Sequence, residues 1–129
     1  MNWYNKNIKV SEQSIHLWLD DERDPQDPYI QKNFNAHGNE IWVKTVEEAI
    51  SYLKTNNVAS ISFDHDLGTT QTGYDLAKYI EEKAFNNELP MLWWEIHSQN
   101  PSGSQNIYNA MKKANEYWFR HHLNNNNRK

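Results

Sequence analysis

The sequence predicts an α/β fold built on a doubly wound parallel sheet. Two observations carry that expectation. Short apolar runs alternate with segments of helical periodicity, an order that right-handed crossovers convert into a parallel sheet. Three of those runs also stop in clusters of polar and charged residues. In a doubly wound sheet ligands gather outside the carboxyl ends of the strands, where these clusters would meet on one rim.

The elements follow in chain order. Ile15 to Leu19 reads as a buried strand that runs straight into Asp20-Asp21. Residues 22–38 contain two Asp-Pro steps, which resist helix at their start. Ile41 to Val43 is a short second strand. Thr45-Val46-Glu47-Glu48 has the pattern of a capping box, and Val46, Ala49, Ile50 and Leu53 follow at helical spacing. Val58 to Phe63 is a third strand, apolar enough to be expected buried on both faces. Thr72-Gly73-Tyr74-Asp75 opens a helix with Leu76, Ala77, Ile80 and Ala84 on one stripe. Met91 to Ile96 is a fourth strand after Pro90. Ser102-Gly103-Ser104-Gln105 is expected to cap a last helix carrying Ile107, Ala110, Met111, Ala114 and Trp118.

The chain as a whole sets limits. Its 129 residues fit one domain, expected over residues 1–120, with 121–129 as a polar tail that frays. The formal charge of −4 argues against a broad nucleic-acid-binding face, which needs basic residues. A small phosphorylated ligand at one metal-neutralised site remains compatible with it. With no cysteine, disulfides, thiolate catalysis and zinc–thiolate sites are excluded. No apolar run reaches the ~20 residues that span a bilayer, and Met1 to Val10 lacks the apolar centre of a signal peptide. A cytoplasmic protein without membrane partners is expected; its oligomeric state is left open.

The rim carries the chemistry. Asp20 and Asp21 follow the first strand, Asp64, His65 and Asp66 the third, and His97, Ser98, Gln99 and Asn100 the fourth. Carboxylates crowded on one rim repel unless a cation joins them or some are protonated. A divalent metal is the simplest answer. Oxygen ligands from Asp20, Asp21 and Asp64 suit Mg²⁺ or Mn²⁺, and added imidazole from His65 or His97 shifts the preference toward Mn²⁺, Fe²⁺ or Zn²⁺. His97 is then expected as a general acid–base, with Arg23, Ser98 and Asn100 gripping phosphate oxygens. Each residue also has a plainer reading. An aspartate after a strand is an ordinary turn or cap residue, and Asp66 can simply shape the turn into Gly68. His65 fits a solvated loop, His97 a hydrogen-bonded core position, and Arg23 a surface ion pair of little energetic consequence.

The segments "LWLDDER" (residues 17–23) and "ISFDHDLGTTQTGYDLAKYIEE" (residues 61–82) resemble the receiver domain of bacterial response regulators. The likeness is closer to an offshoot, the cyclic-phosphate-processing receiver-like family. Its three elements occur here as Leu19 to Arg23, as Asp64 to Gly68 with Thr72 to Asp75, and as His97 to Pro101. The resemblance covers roughly residues 15 to 118. It implies a receiver-like, flavodoxin-like sheet in which Asp20 and Asp21 match the metal-holding acidic pair. Asp64 matches the phospho-acceptor, and Ser98 matches the Thr or Ser after strand four.

A departure accompanies the likeness. Receivers have a fifth strand ending in a lysine, and neither follows Trp118. Three functions are therefore expected to compete. The leading one is a metal-dependent phosphoesterase acting on a cyclic phosphate, either the 2′,3′-cyclic 3′ end of an RNA or a cyclic nucleotide. In that reading Asp64, His65 and His97 are catalytic. The others are a non-catalytic binder of a cyclic nucleotide or partner protein, as in conflict between phage and host, and a divergent phospho-accepting receiver.

Overall fold

Ile15 and Val58 start the two central strands, and their apolar alternation fixes which way each strand faces. In the computed structural model, which describes residues 13–127, β1 (Ile15–Leu19) lies between β2 (Ile41–Val43) and β3 (Val58–Phe63). β4 (Trp93–Ile96) flanks β3, giving the order β2-β1-β3-β4 with every pairing parallel. The connecting helices are α1 (Pro28–Phe34), α2 (Val46–Leu53), α3 (Gly73–Phe85) and α4 (Pro101–Asn127). This is a receiver-like, flavodoxin-like arrangement without a fifth strand among the described residues. The expectations for Met1 to Val10 and for the last two residues lie outside them.

Leu17, Leu19, Ile61 and Phe63 point to one face of the sheet, where α2, α3 and α4 close the main core. Trp18 points to the other face and meets Ile30 and Ala36, with Phe34 and Trp42 beside them. The register sets Trp18 beside Ser62 and Ser62 beside Glu95. That face is polar past β1, so β3 is not buried on both sides as its composition suggested. Ser60 and Ser62 stay half-buried because α1 is short and covers only the β1–β2 side.

Local signals place the helix starts. Asp27 caps α1 by accepting from Tyr29 N–H at 2.9 Å, with Pro28 at the first position. Thr45 caps α2 through Glu48 N–H at 3.1 Å, while the Glu48 carboxylate reaches one residue further back, to Lys44 N–H at 2.9 Å. α4 starts earlier than Ser102-Gly103-Ser104 suggested. Asn100 Oδ1 accepts from Gly103 N–H at 3.0 Å, and Pro101 takes the first turn, where a missing N–H costs nothing. Residues 121–127, expected from composition to fray, continue α4. His121 Nε2 donates to the end of α3, 2.9 Å from Ala84 O and 3.1 Å from Phe85 O.

Candidate functional site

Asp20 is the first residue beyond β1, and its backbone still belongs to the sheet, donating to Val43 O at 3.1 Å. Its carboxylate is fully buried, which is tolerable only with a full set of donors. Oδ1 accepts from Glu22 N–H at 2.8 Å and Arg23 N–H at 2.9 Å. Oδ2 accepts from the Arg23 guanidinium at 3.1 Å and from His97 Nε2 at 2.9 Å. Its carbonyl receives the Trp42 indole N–H at 2.7 Å. Burial alone would push this carboxyl up. The hydrogen bonds from His97, the two backbone amides and Arg23 outweigh that and hold it below the usual carboxylate range.

Asp64 is placed the same way beyond β3, with its N–H on Leu19 O at 2.9 Å. Its surroundings are less generous. Oδ1 accepts from His65 N–H at 2.9 Å, and Oδ2 lies 3.7 Å from the Arg23 guanidinium. Burial, then the Asp20 charge, raises this carboxyl, and His97 and Arg23 offset only part of the shift. Asp21 completes the acidic group. Asp20, Asp21 and Asp64 each offer an oxygen within 4.8 Å of the others.

Arg23 is the resident cation of this group. Its guanidinium lies 4.4 Å from the centre of the Phe34 ring and donates to Gln99 Oε1 at 3.2 Å. Three carboxylates against one guanidinium leave a local excess of two negative charges. A hard, all-oxygen donor set with that excess could bind a divalent metal, as receiver domains do.

Two glycines hold the β3–α3 loop at this position. A Cβ on Gly73 would collide with the Asp64 carbonyl oxygen, and Gly73 N–H donates to His65 O at 2.9 Å. The start of α3 therefore packs directly on the backbone of the acidic turn. A Cβ on Gly103 would collide with the His65 ring, so the first turn of α4 takes that ring against its backbone. These contacts account for the glycine of Thr72 to Asp75 and for the one two residues past Pro101.

A cavity of about 510 Å³ opens over the rim, lined among others by Asp21, Arg23, Asp64, Asp66, Gln99 and Asn100. Four of the residues singled out from sequence thus share its wall: Asp21, Arg23, Asp64 and Asn100. Asp20 lies beneath them. The other three do not line it. His97, expected as a general acid–base, does not face the cavity. Its side chain is 2% exposed, stacked on Trp18 at 3.8 Å and clamped between Asp20 and Ser62 Oγ, the latter 2.8 Å from Nδ1. Ser98 Oγ is engaged by Asn100 N–H at 3.0 Å rather than presented to the cavity. His65 sits just behind the wall, its Nδ1 donating to Asp66 Oδ1 at 2.9 Å, which holds the Asp66 carboxyl low. Asn100 Nδ2 approaches the same carboxylate at 3.3 Å. Asp66 and Gln99 are the wall residues that sequence reading undervalued. Gln99 was masked by the more reactive neighbours on either side of it.

Fold and rim together define a receiver-like domain with an acidic cluster at the carboxyl ends of β1 and β3. The family model described as the cyclic-phosphate processing receiver domain matches residues 15–113, and the chain belongs to that family. No curated protein matches the chain.

Proposed function

We propose that the protein is a metal-dependent phosphoesterase that opens a cyclic phosphate, either a 2′,3′-cyclic RNA end or a cyclic nucleotide. The observation that carries this reading is the acidic triad of Asp20, Asp21 and Asp64, of which Asp21 and Asp64 line a cavity of ligand size with Arg23 beside them. Asp21 and Asp64 hold the metal, with Asp20 pinned behind them, and Mg²⁺ or Mn²⁺ suits a set without imidazole. When bound, such an ion supplies Lewis-acid polarisation of a phosphoryl group.

The chain's own groups do the rest. Arg23, steadied by Gln99 and Phe34, presents its fork to phosphate oxygens, and the Asn100 amide donates beside it. Water adds to phosphorus, one ring P–O bond breaks, and the departing oxygen takes a proton. His65 is the residue suited to give that proton. Its Nδ1–H is committed to Asp66, so Nε2 is the atom that exchanges protons. His97 acts through Asp20, as a positioning residue.

One observation favours a second reading, in which the domain binds a cyclic phosphate without turning it over. Neither histidine lines the cavity. The discriminating experiment incubates the protein and Mn²⁺ or Mg²⁺ with 2′,3′-cyclic mononucleotides, an RNA with a 2′,3′-cyclic end, 3′,5′-cyclic nucleotides and cyclic dinucleotides. Mass spectrometry then follows both the free and the protein-retained ligand. Addition of water to one member, blocked by chelator, is the expected result. A ligand retained unchanged overturns hydrolysis in favour of binding, and neither retention nor turnover overturns both.

A further inference from the structure

The sheet carries a second concave surface, on the face opposite the main core. There α1 covers the β1–β2 side, where Trp18 meets Ile30 and Ala36. Past it, the strand register sets His16, Ser60 and Trp93 side by side, and then Ser62 and Glu95. A cavity of about 410 Å³ lies over these five side chains, with the α1–β2 loop as its other wall. It shares no described lining residue with the cavity at the rim.

Most of the polar groups around this cavity are engaged. In the loop wall, the Glu40 carboxylate accepts from His37 N–H at 2.7 Å and from Gly38 N–H at 2.8 Å. On the floor, His16 Nδ1 lies 2.7 Å from Ser60 Oγ. Glu95 differs. Among the described residues its carboxylate has no hydrogen bond and no ion pair, although it lines the cavity. Trp93, two residues earlier on the same strand face, is 69% exposed. Among the described residues no lysine or arginine lines the cavity.

That combination selects a ligand by charge and by shape. With Glu40 and Glu95 in the lining and no basic side chain, the cavity repels phosphates and carboxylates and attracts a cation. Residues two apart on one strand face stand about 7 Å apart. A flat cation lying on the Trp93 indole therefore reaches the Glu95 carboxylate with its edge. A guanidinium meets both demands, because it stacks on an aromatic face and forks onto a carboxylate. An ammonium is more strongly hydrated and offers no fork. A free amino acid would also bring an α-carboxylate that this lining cannot meet, whereas an arginine within a polypeptide brings none.

We propose that this cavity is a docking site for an arginine side chain of a partner polypeptide. The guanidinium lies on Trp93 and pairs with Glu95, and the Asn39 amide in the loop wall is left for its remaining N–H groups. The site stands apart from the acidic rim. Trp93 precedes His97 by four residues, about 13 Å along the strand direction. It needs no metal and does not depend on the reaction proposed for the rim.

The probe is a glycine–arginine–glycine tripeptide blocked at both ends, titrated into the full chain in the presence of chelator. Binding is followed by NMR at the Trp93 indole N–H, a resonance assigned with Trp93→Phe. A saturable shift is expected. The same peptide with citrulline, which keeps the shape and loses the charge, is expected to bind roughly tenfold more weakly. Glu95→Gln, at an exposed position that the fold does not depend on, is expected to weaken the arginine peptide about tenfold. Asp64→Asn is expected to leave its binding unchanged. No saturable shift, equal binding of the two peptides, or unchanged binding by Glu95→Gln overturns the proposal. Loss of binding in Asp64→Asn places the peptide at the rim and overturns it as well. Free arginine binding as tightly as the peptide overturns a polypeptide partner in favour of a small guanidinium compound.

Discussion

Asp20 and Asp64 are both buried carboxylates just past a strand, and their surroundings push them in opposite directions. Asp20 is held below its ordinary value, so its contribution to stability is present above about pH 4 and is lost as pH falls through its depressed folded value. Asp64 is raised, so its contribution is present below the ordinary carboxylate range and lost as pH rises through the raised value. At neutral pH, without a metal, Asp64 is a burden on the fold. Asp64→Asn is therefore expected to raise the melting temperature in chelator by a few degrees, read by calorimetry, while abolishing stabilisation by Mg²⁺ or Mn²⁺. His97→Ala removes a donor from a buried charge and a ring from the Trp18 stack. It is expected to cost about 1–3 kcal/mol in chemical denaturation and to weaken divalent-cation binding roughly 10–100-fold. A surface histidine would show neither effect.

At the scale of elements, the turns that carry the site depend on backbone proximity. Gly73→Ala would drive a methyl group into the Asp64 carbonyl, which is expected to cost roughly 1–3 kcal/mol and to lower metal affinity with it, measured by denaturation and titration of one preparation. Thr45→Ala, far from the rim, is expected to cost about 1 kcal/mol through its cap alone and to leave metal binding unchanged. Much of this layer was legible in the sequence. β1 and β3 were readable to the residue because apolar-rich runs end in aspartates, a boundary that composition and charge both mark. The start of α4 was not, because Ser102-Gly103-Ser104 resembles a cap and Asn100 with Pro101 outcompetes it. The place of His97 was illegible for a different reason. Its partners Asp20 and Trp18 lie on β1 and just past its end, and only the sheet order brings them together. Asp20, Asp21 and Asp64 were legible as a group because one rule, ligands at the carboxyl ends of parallel strands, places all three.

At the scale of the molecule, the order β2-β1-β3-β4 sets the acidic rim at one end of the central strands and, among the described residues, leaves β4 at the edge of the sheet. No helix among the described residues is long and apolar enough to cross a membrane. The excess negative charge sits at the rim, where Arg23 balances only part of it. Everything proposed for the site depends on that excess being met by a divalent cation. The most direct measurement is a calorimetric titration of Mn²⁺ into the wild-type chain and into Asp64→Asn at neutral pH. A single site in the wild type that disappears in Asp64→Asn is the expected result. No binding to the wild type, or unchanged affinity in Asp64→Asn, would contradict a metal centre at this rim.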